Sequence, residues 1–189
     1  MRIVEEQRIL HEWNLILTVT PGPHHVRDVR SALGHLGRFW RTAFRDVLIG
    51  WTDDADALLQ AIADARDQDK RWSHSLGRVI PARTVFYFTP DNLVERLGEA
   101  IAPLVDDMRS GRFYFRLERR GLAGEIPSQD VEQAVAEHLV ALARAKGIEL
   151  TTDFADPDYI VAAETLGTEC GVCLLTRELM ARFPFVRPK

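Results

Sequence analysis

The sequence predicts an α/β chain of the α+β kind in two domains, and three observations predict it. Short apolar runs of strand length recur between turns marked by glycine and proline. Between them lie stretches whose apolar residues fall three and four apart, as amphipathic helices require. The chain has 189 residues, 46% apolar and 28% charged, which is globular and long enough for one ordinary domain or two small ones.

The first strand is "WNLILTVT" (13–20), bounded by Pro21 and Gly22. In "VRDVRSALGHLG", Val26, Val29, Leu33 and Leu36 share a helical face, and Gly37 is placed to end the helix. "RFWRTAF" and "VLIGWT" read as two strands joined by a tight turn near Arg45–Asp46. Thr52 can cap the next helix, with Asp53 and Asp54 in the first turn, where the dipole favours acids. Leu58, Leu59 and Ile62 face inward from it. The polar stretch 66–78 has no period and reads as a loop. "VIPARTVFYF" (79–88) is extended, and Pro81 limits its first half to an edge or a bend. It can supply the last strand of a β-α-β-β-α-β ferredoxin-like unit, the link onward, or both. The division between domains is placed at residues 77 and 78.

The second half opens with a helix capped by Thr89, with Pro90 in its first turn and a stripe of Leu93, Leu97, Ile101, Leu104, Val105 and Met108. In the strand that follows, Phe113, Phe115 and Leu117 share one face, and Tyr114, Arg116 and Glu118 the other. After Gly121 and Gly124, Ser128 caps a long helix with Val131, Val135, His138, Leu142 and Ala145 on its face, ended by Gly147. Two strands, 158–167 and 169–176, close the half as α-β-α-β-β.

Net charge is −4, so bulk electrostatics does not point to nucleic acid. No apolar run reaches the ~20 residues needed to span a bilayer. "MRIVEEQRILHEWN" carries acids where a secretory leader would be apolar, so a cytoplasmic location is expected. Two cysteines suit a reducing compartment. In "CGVC" (170–173) their odd spacing on a strand points them to opposite faces, so they read as ordinary buried thiols. No metal site is expected: a structural zinc needs four ligands, and His24–His25 lack a third partner at ligand spacing. His138 reads as a core histidine, and the remaining histidines, His11, His35 and His74, form no ligand pattern. "DFADPD" (153–158) reads as a turn before a strand. Phosphate loops, nucleophile elbows and deaminase motifs are absent, so no catalytic residue and no cofactor are expected.

What stands out is arginine. Only Lys70, Lys146 and Lys189 among the 24 basic residues are lysines, so 21 are arginines. Arg112, Arg116, Arg119 and Arg120 lie in "RFYFRLERRG". Arg144 and Lys146 end the long helix, and Arg177, Arg182, Arg187 and Lys189 crowd the C-terminus. The planar guanidinium suits phosphate oxygens. The plainer alternative is a solvated strand end and a charged tail.

Residues from about 78 to 186 resemble a THUMP domain. The segments that carry the resemblance are "RVIP" before "VFYF", then "FYFRLERRG", "IPSQDVEQAVAEHLV" and "FADPDYIVAAETLGTECGVCLL", in that order. Asp156 stands where Asn is frequent in such domains, and Cys173 where Ser is frequent. The resemblance implies a ferredoxin-like domain followed by a THUMP domain, binding tRNA near its acceptor stem and 3′ end. It resembles most the stand-alone group that serves as adaptor to a separate tRNA-modifying enzyme, such as a cytidine acetyltransferase. The implied RNA contacts are Arg112, Arg116, Arg119, Arg120, Arg144, Lys146, Arg177 and Arg182, without DNA or membrane as partner. Alanine at Arg119 and Arg120 together is then expected to weaken tRNA binding without unfolding the protein. The rival readings are a small enzyme with a site between the domains, using His138 or His24–His25, and a protein-interaction scaffold.

Overall fold

A computed structural model describes residues 12–189. Residues 1–11, which include His11 and most of the N-terminal stretch weighed above as a leader, lie outside the described residues.

The first half forms a four-stranded antiparallel sheet of β1 (Leu15–Val19), β2 (Arg38–Arg41), β3 (Val47–Trp51) and β4 (Leu76–Pro81), in the order β2-β3-β1-β4. Helices α1 (His25–Leu33), α2 (Ala55–Asp67) and α3 (Arg71–Ser75) complete the ferredoxin-like order. Strand alternation decides which side chains meet the helices. Leu15, Leu17 and Val19 of β1 pack with Val29 and Leu33 of α1 and with Leu58, Leu59 and Ile62 of α2. Ile16 points the other way, to Trp13, Val47 and Ile49.

Several local expectations shift. α1 stops at Leu33, and Gly34 is its C-cap. Gly37 has a different use: a Cβ there would lie 2.3 Å from the Trp51 carbonyl, so only glycine permits that strand approach. Asp54, not Thr52, caps α2, accepting from the Ala57 N–H at 2.9 Å. Thr52 is buried and bonds to the Leu36 carbonyl. The expected loop at 66–78 contains α3 and the start of β4. Pro81 ends β4, which is an edge strand, as its missing N–H requires.

The second half forms a five-stranded sheet of β5 (Thr84–Tyr87), β6 (Gly111–Glu118), β7 (Leu150–Thr152), β8 (Tyr159–Leu166) and β9 (Glu169–Thr176), ordered β5-β9-β8-β6-β7. β6 runs parallel to both β7 and β8, while β9 is antiparallel to β8 and β5. Two helices, α4 (Leu93–Ile101) and α5 (Ser128–Ala145), cover one face, and α6 (Arg177–Arg182) follows β9. The Thr89–Asn92 capping box starts a 3₁₀ turn ahead of α4, and a second 3₁₀ stretch continues over Ala102–Asp107, where Pro103 removes a helical donor. The whole expected stripe from Leu93 to Met108 is nevertheless buried.

In β6, Phe113, Phe115 and Leu117 face α4 and α5, as alternation predicts. α5 is rotated from its expected face. Its buried stripe is Val131, Val135, Leu139 and Ala143, and His138 is exposed beside Gly98. The core-histidine reading is therefore wrong: the (i, i+4) row through Val131 outcompetes the one through His138. β8 and β9 are buried on both faces, so their sequences read as continuous apolar runs. Cys170 packs in the α4–α5 core and Cys173 in the core shared with the first half. Both thiols are free, and burial pushes their pKa values up.

After α6 the chain returns to the first half. The Phe185 carbonyl accepts from Val79 on the outer edge of β4 at 3.1 Å, and Phe183 and Phe185 fill the space between α2, β4 and the second sheet. No helix among the described residues is long and apolar enough to cross a membrane.

Candidate nucleic-acid interface

β6 separates the basic residues into two groups. Eight residues at about 3.3 Å each place its ends some 23 Å apart. Arg112, Arg144, Lys146 and Arg177 lie towards the Gly111 end, where β7 pairs and β9 finishes. Arg119 and Arg120 lie at the other end, with Arg116 between. The structure thus does not bring the eight residues into one surface.

At the Gly111 end Arg112 and Arg177 face carboxylates. Arg112 and Arg177 both grip Asp156, at 2.6 and 2.5 Å, and Arg177 also reaches Asp158 at 3.0 Å. The Arg112 N–H donates to Asp158 at 2.8 Å. Asp153 accepts from the N–H groups of Ala155 and Asp156, the expected turn role. Three carboxylates against two guanidiniums leave no net positive charge for a phosphate. The Arg177 and Arg112 side chains hold Asp156 below the ordinary carboxylate range, and the Arg112 N–H followed by the Arg177 side chain does so for Asp158. The backbone N–H bonds lower Asp153. Folded pKa values below unfolded ones contribute stability that is present above about pH 4 and lost as pH falls through the folded values. Arg177→Met should therefore lower the urea midpoint at pH 7, and the difference from the parent should shrink as pH falls below about 4.

Lys146 is paired with Asp106, and Arg144 is exposed with no partner among the described residues. Arg182 belongs to the C-terminal clasp: it donates to Gln60 of α2 at 3.0 Å and lies 4.6 Å over the Phe183 ring.

At the Glu118 end the residues diverge in role. Arg116 is half-buried, with Nη1 3.9 Å from Glu132. Arg119 donates to the Gly121 carbonyl at 2.8 Å and to Ser128 at 3.4 Å, latching the turn that leads into α5. Arg120 is committed to Glu164, a carboxylate 1% exposed. Burial raises the Glu164 pKa, and Arg120 opposes the rise. Gly121 has a φ of 91° and rests against Gly167 and the Phe44 ring, so the turn after β6 meets the β2–β3 hairpin of the first half.

That hairpin carries residues the sequence reading missed. Arg41 is exposed and has no partner among the described residues. The Arg45 side chain is 88% exposed, with only a loose contact to Asp46 at 3.4 Å. Asp46 turns the hairpin at a φ of 59°. Opposite it, His24 adopts a φ of 70°, and Gly22, His24, Arg41, Thr42, Phe44 and Arg45 border an open cavity of about 410 Å³. His25 is held by its ring Nδ1 donating to the Thr20 carbonyl at 3.0 Å. The available signal was "RFWRTAFRD", three arginines within eight residues around a hairpin turn. Among the described residues, no group of three or more His, Cys, Asp or Glu side chains could hold a metal ion.

No family model matches the chain, and no curated protein matches it. Solved structures match in shape. PH1313 from Pyrococcus horikoshii Ot3 superposes with a TM-score of 0.58 at 9% identity, over 87% of this chain and 55% of that one. TrmN from Thermus thermophilus gives 0.56 at 18% identity, over 90% and 48%. A 4-thiouridine synthetase solved in complex with RNA and ATP gives 0.51 at 12% identity, over 87% and 42%. The chain spans about half the length of these structures. At such identities the likeness establishes the fold: two α/β halves, ferredoxin-like then THUMP-like.

Proposed function

We propose that the chain binds structured RNA, tRNA in particular, through the end where the β2–β3 hairpin meets the turn after β6, and that it does so without a catalytic site of its own. The observation that carries the reading is the shape match, across both halves, to a synthetase solved with RNA. The charge distribution supports the choice of end. Arg41 is exposed there with no ion pair among the described residues, Arg45 is exposed with only its neighbour Asp46 at 3.4 Å, and Arg119 lies on the latched turn that the Phe44 ring meets. Arginine forks on a rigid hairpin suit phosphate oxygens, which position an RNA without reading its sequence. Structured RNA is recognised largely by shape, so no base-reading motif is needed. The acceptor stem and 3′ end of tRNA are the region such a pair of halves would hold, and duplex DNA is not the expected ligand.

The non-catalytic part of the proposal rests on what the chemical groups are doing. Cys170 and Cys173 are buried thiols with raised pKa values, the reverse of a nucleophile's setting. His138 is exposed on α5, with no hydrogen bond or ion pair among the described residues. On this reading the chain works in the cytoplasm as an adaptor that presents tRNA to a separate modifying enzyme, such as a cytidine acetyltransferase.

The test is binding of the purified protein to bulk tRNA, against duplex DNA, from about 50 to 200 mM salt, where each neutralised phosphate adds roughly 0.7–0.9 to the log–log slope. Preference for tRNA with a slope of about two to four is expected. Absence of binding at about 50 mM salt would overturn the reading.

A further inference from the structure

We propose that the free edge of β6 receives an extended, basic peptide segment from a protein partner, as an added strand. β7 pairs with β6 only from Gly111 to Phe113, and the chain then turns away through Asp153. On that side Gly111 donates to the Glu149 carbonyl, and Phe113 accepts from Asp153. The peptide groups of odd-numbered β6 residues therefore point to the β7 side, while the even-numbered ones serve β8. Beyond Phe113, the Leu117 N–H is taken by the Glu132 side chain at 2.8 Å. The Phe115 N–H and C=O and the Leu117 C=O have no protein partner on that side among the described residues. Edge strands with such groups are templates for another strand unless something covers them.

Here Tyr114 and Phe115, the latter 3% exposed, form the floor of an open groove of about 500 Å³ that stops short of Leu117. One wall is α5, with Ala136 and Val140, and the other is Phe154, its ring tilted against Tyr114 at 5.3 Å. Phe154 is 74% exposed, the most exposed large apolar side chain described. An added strand would alternate its side chains between these walls. Charge selects the occupant. Glu137 lines the α5 wall beside Glu132, which already accepts from the Leu117 N–H and lies 3.9 Å from Arg116, and no lysine or arginine is among the groove-lining residues. Carboxylates there repel RNA phosphates and favour Lys or Arg between apolar positions of a peptide. This assignment stands independently of the RNA reading, which concerns other residues.

The test is selection from a phage-displayed library of random decapeptides on the full chain, followed by titration of a synthetic selected peptide. The expected consensus alternates apolar residues with Lys or Arg. Affinity should fall about tenfold in Glu137→Lys and in Phe154→Ala, both exposed positions that leave the melting temperature unchanged. Methylating every second peptide amide should abolish binding in one phase and be tolerated in the other, the signature of strand pairing. No enrichment, a consensus without basic residues, or equal tolerance of both methylation phases would overturn the proposal. So would displacement of the peptide by stoichiometric tRNA, or self-association lost in Phe154→Ala, which would give the groove to RNA or to a second copy.

Discussion

Arg120→Ala is expected to cost about 3–5 kcal/mol, the largest loss from any single charged residue of the second sheet. Its partner Glu164 sits in β8, buried on both sides, and the Arg120 guanidinium is the main charge opposing its desolvation. Truncating one member of a buried pair leaves the other charge uncompensated. Against a usual total of about 5–15 kcal/mol, that loss approaches global unfolding. The pH dependence carries a sign. A carboxyl whose folded pKa is raised contributes stability below its unfolded pKa, near 4.3, and loses it as pH rises through the folded value. Removing Arg120 raises that value further, so the variant should lose stability more steeply than the parent between pH 4.5 and 7. Urea denaturation across that range is the measurement. Pairing Arg120→Leu with Glu164→Leu should recover most of the loss; failure of the pair to recover it would mean the salt bridge is not the cause. The outcome also changes how RNA binding is dissected. The expectation that Arg119 and Arg120 can be replaced together without unfolding does not survive the geometry, since only Arg119 is free of a buried partner.

Phe183→Ala is the second large effect, at about 3–5 kcal/mol. Phe183 is fully buried, its ring tilted 45° against that of Phe185 at 5.8 Å, in a core shared by both halves. The surrounding residues come from different elements, α2, β4 and β8 among them, so the cavity cannot collapse cheaply. The Phe185 carbonyl also pairs with the outer edge of β4, so loosening the clasp exposes an edge strand. The variant should show a lower melting temperature and faster tryptic cleavage after Arg182. Parent-like stability would mean that the C-terminal segment only decorates the interface.

Much of this architecture was legible in the residues. The β6 alternation, the Leu93–Met108 stripe and the opposed cysteines depend on period alone, and the structure repeats them. What escaped was short or decided by packing. β7 has three residues, α3 five and α6 six, too few for a period to declare itself. On α5 two apolar rows compete, and only contact with α4 and β6 selects Val131–Ala143. The arginines were visible, but their partners were not. Asp156 and Asp158 lie more than forty residues from Arg112, and Glu164 lies 44 from Arg120. Their neutralisation is a tertiary fact, as is the meeting of Arg41 and Arg45 with the turn after β6.

The central claim is that RNA is gripped at the hairpin end and not at the Gly111 end. Its most direct test compares the salt dependence of tRNA binding by Arg41→Gln/Arg45→Gln/Arg119→Gln with that of Arg112→Gln/Arg177→Gln. The account predicts that the triple variant loses about two to three units of log–log slope and binds far more weakly, while the double variant keeps the parent slope. An unchanged slope in the triple variant together with a collapsed one in the double would contradict it.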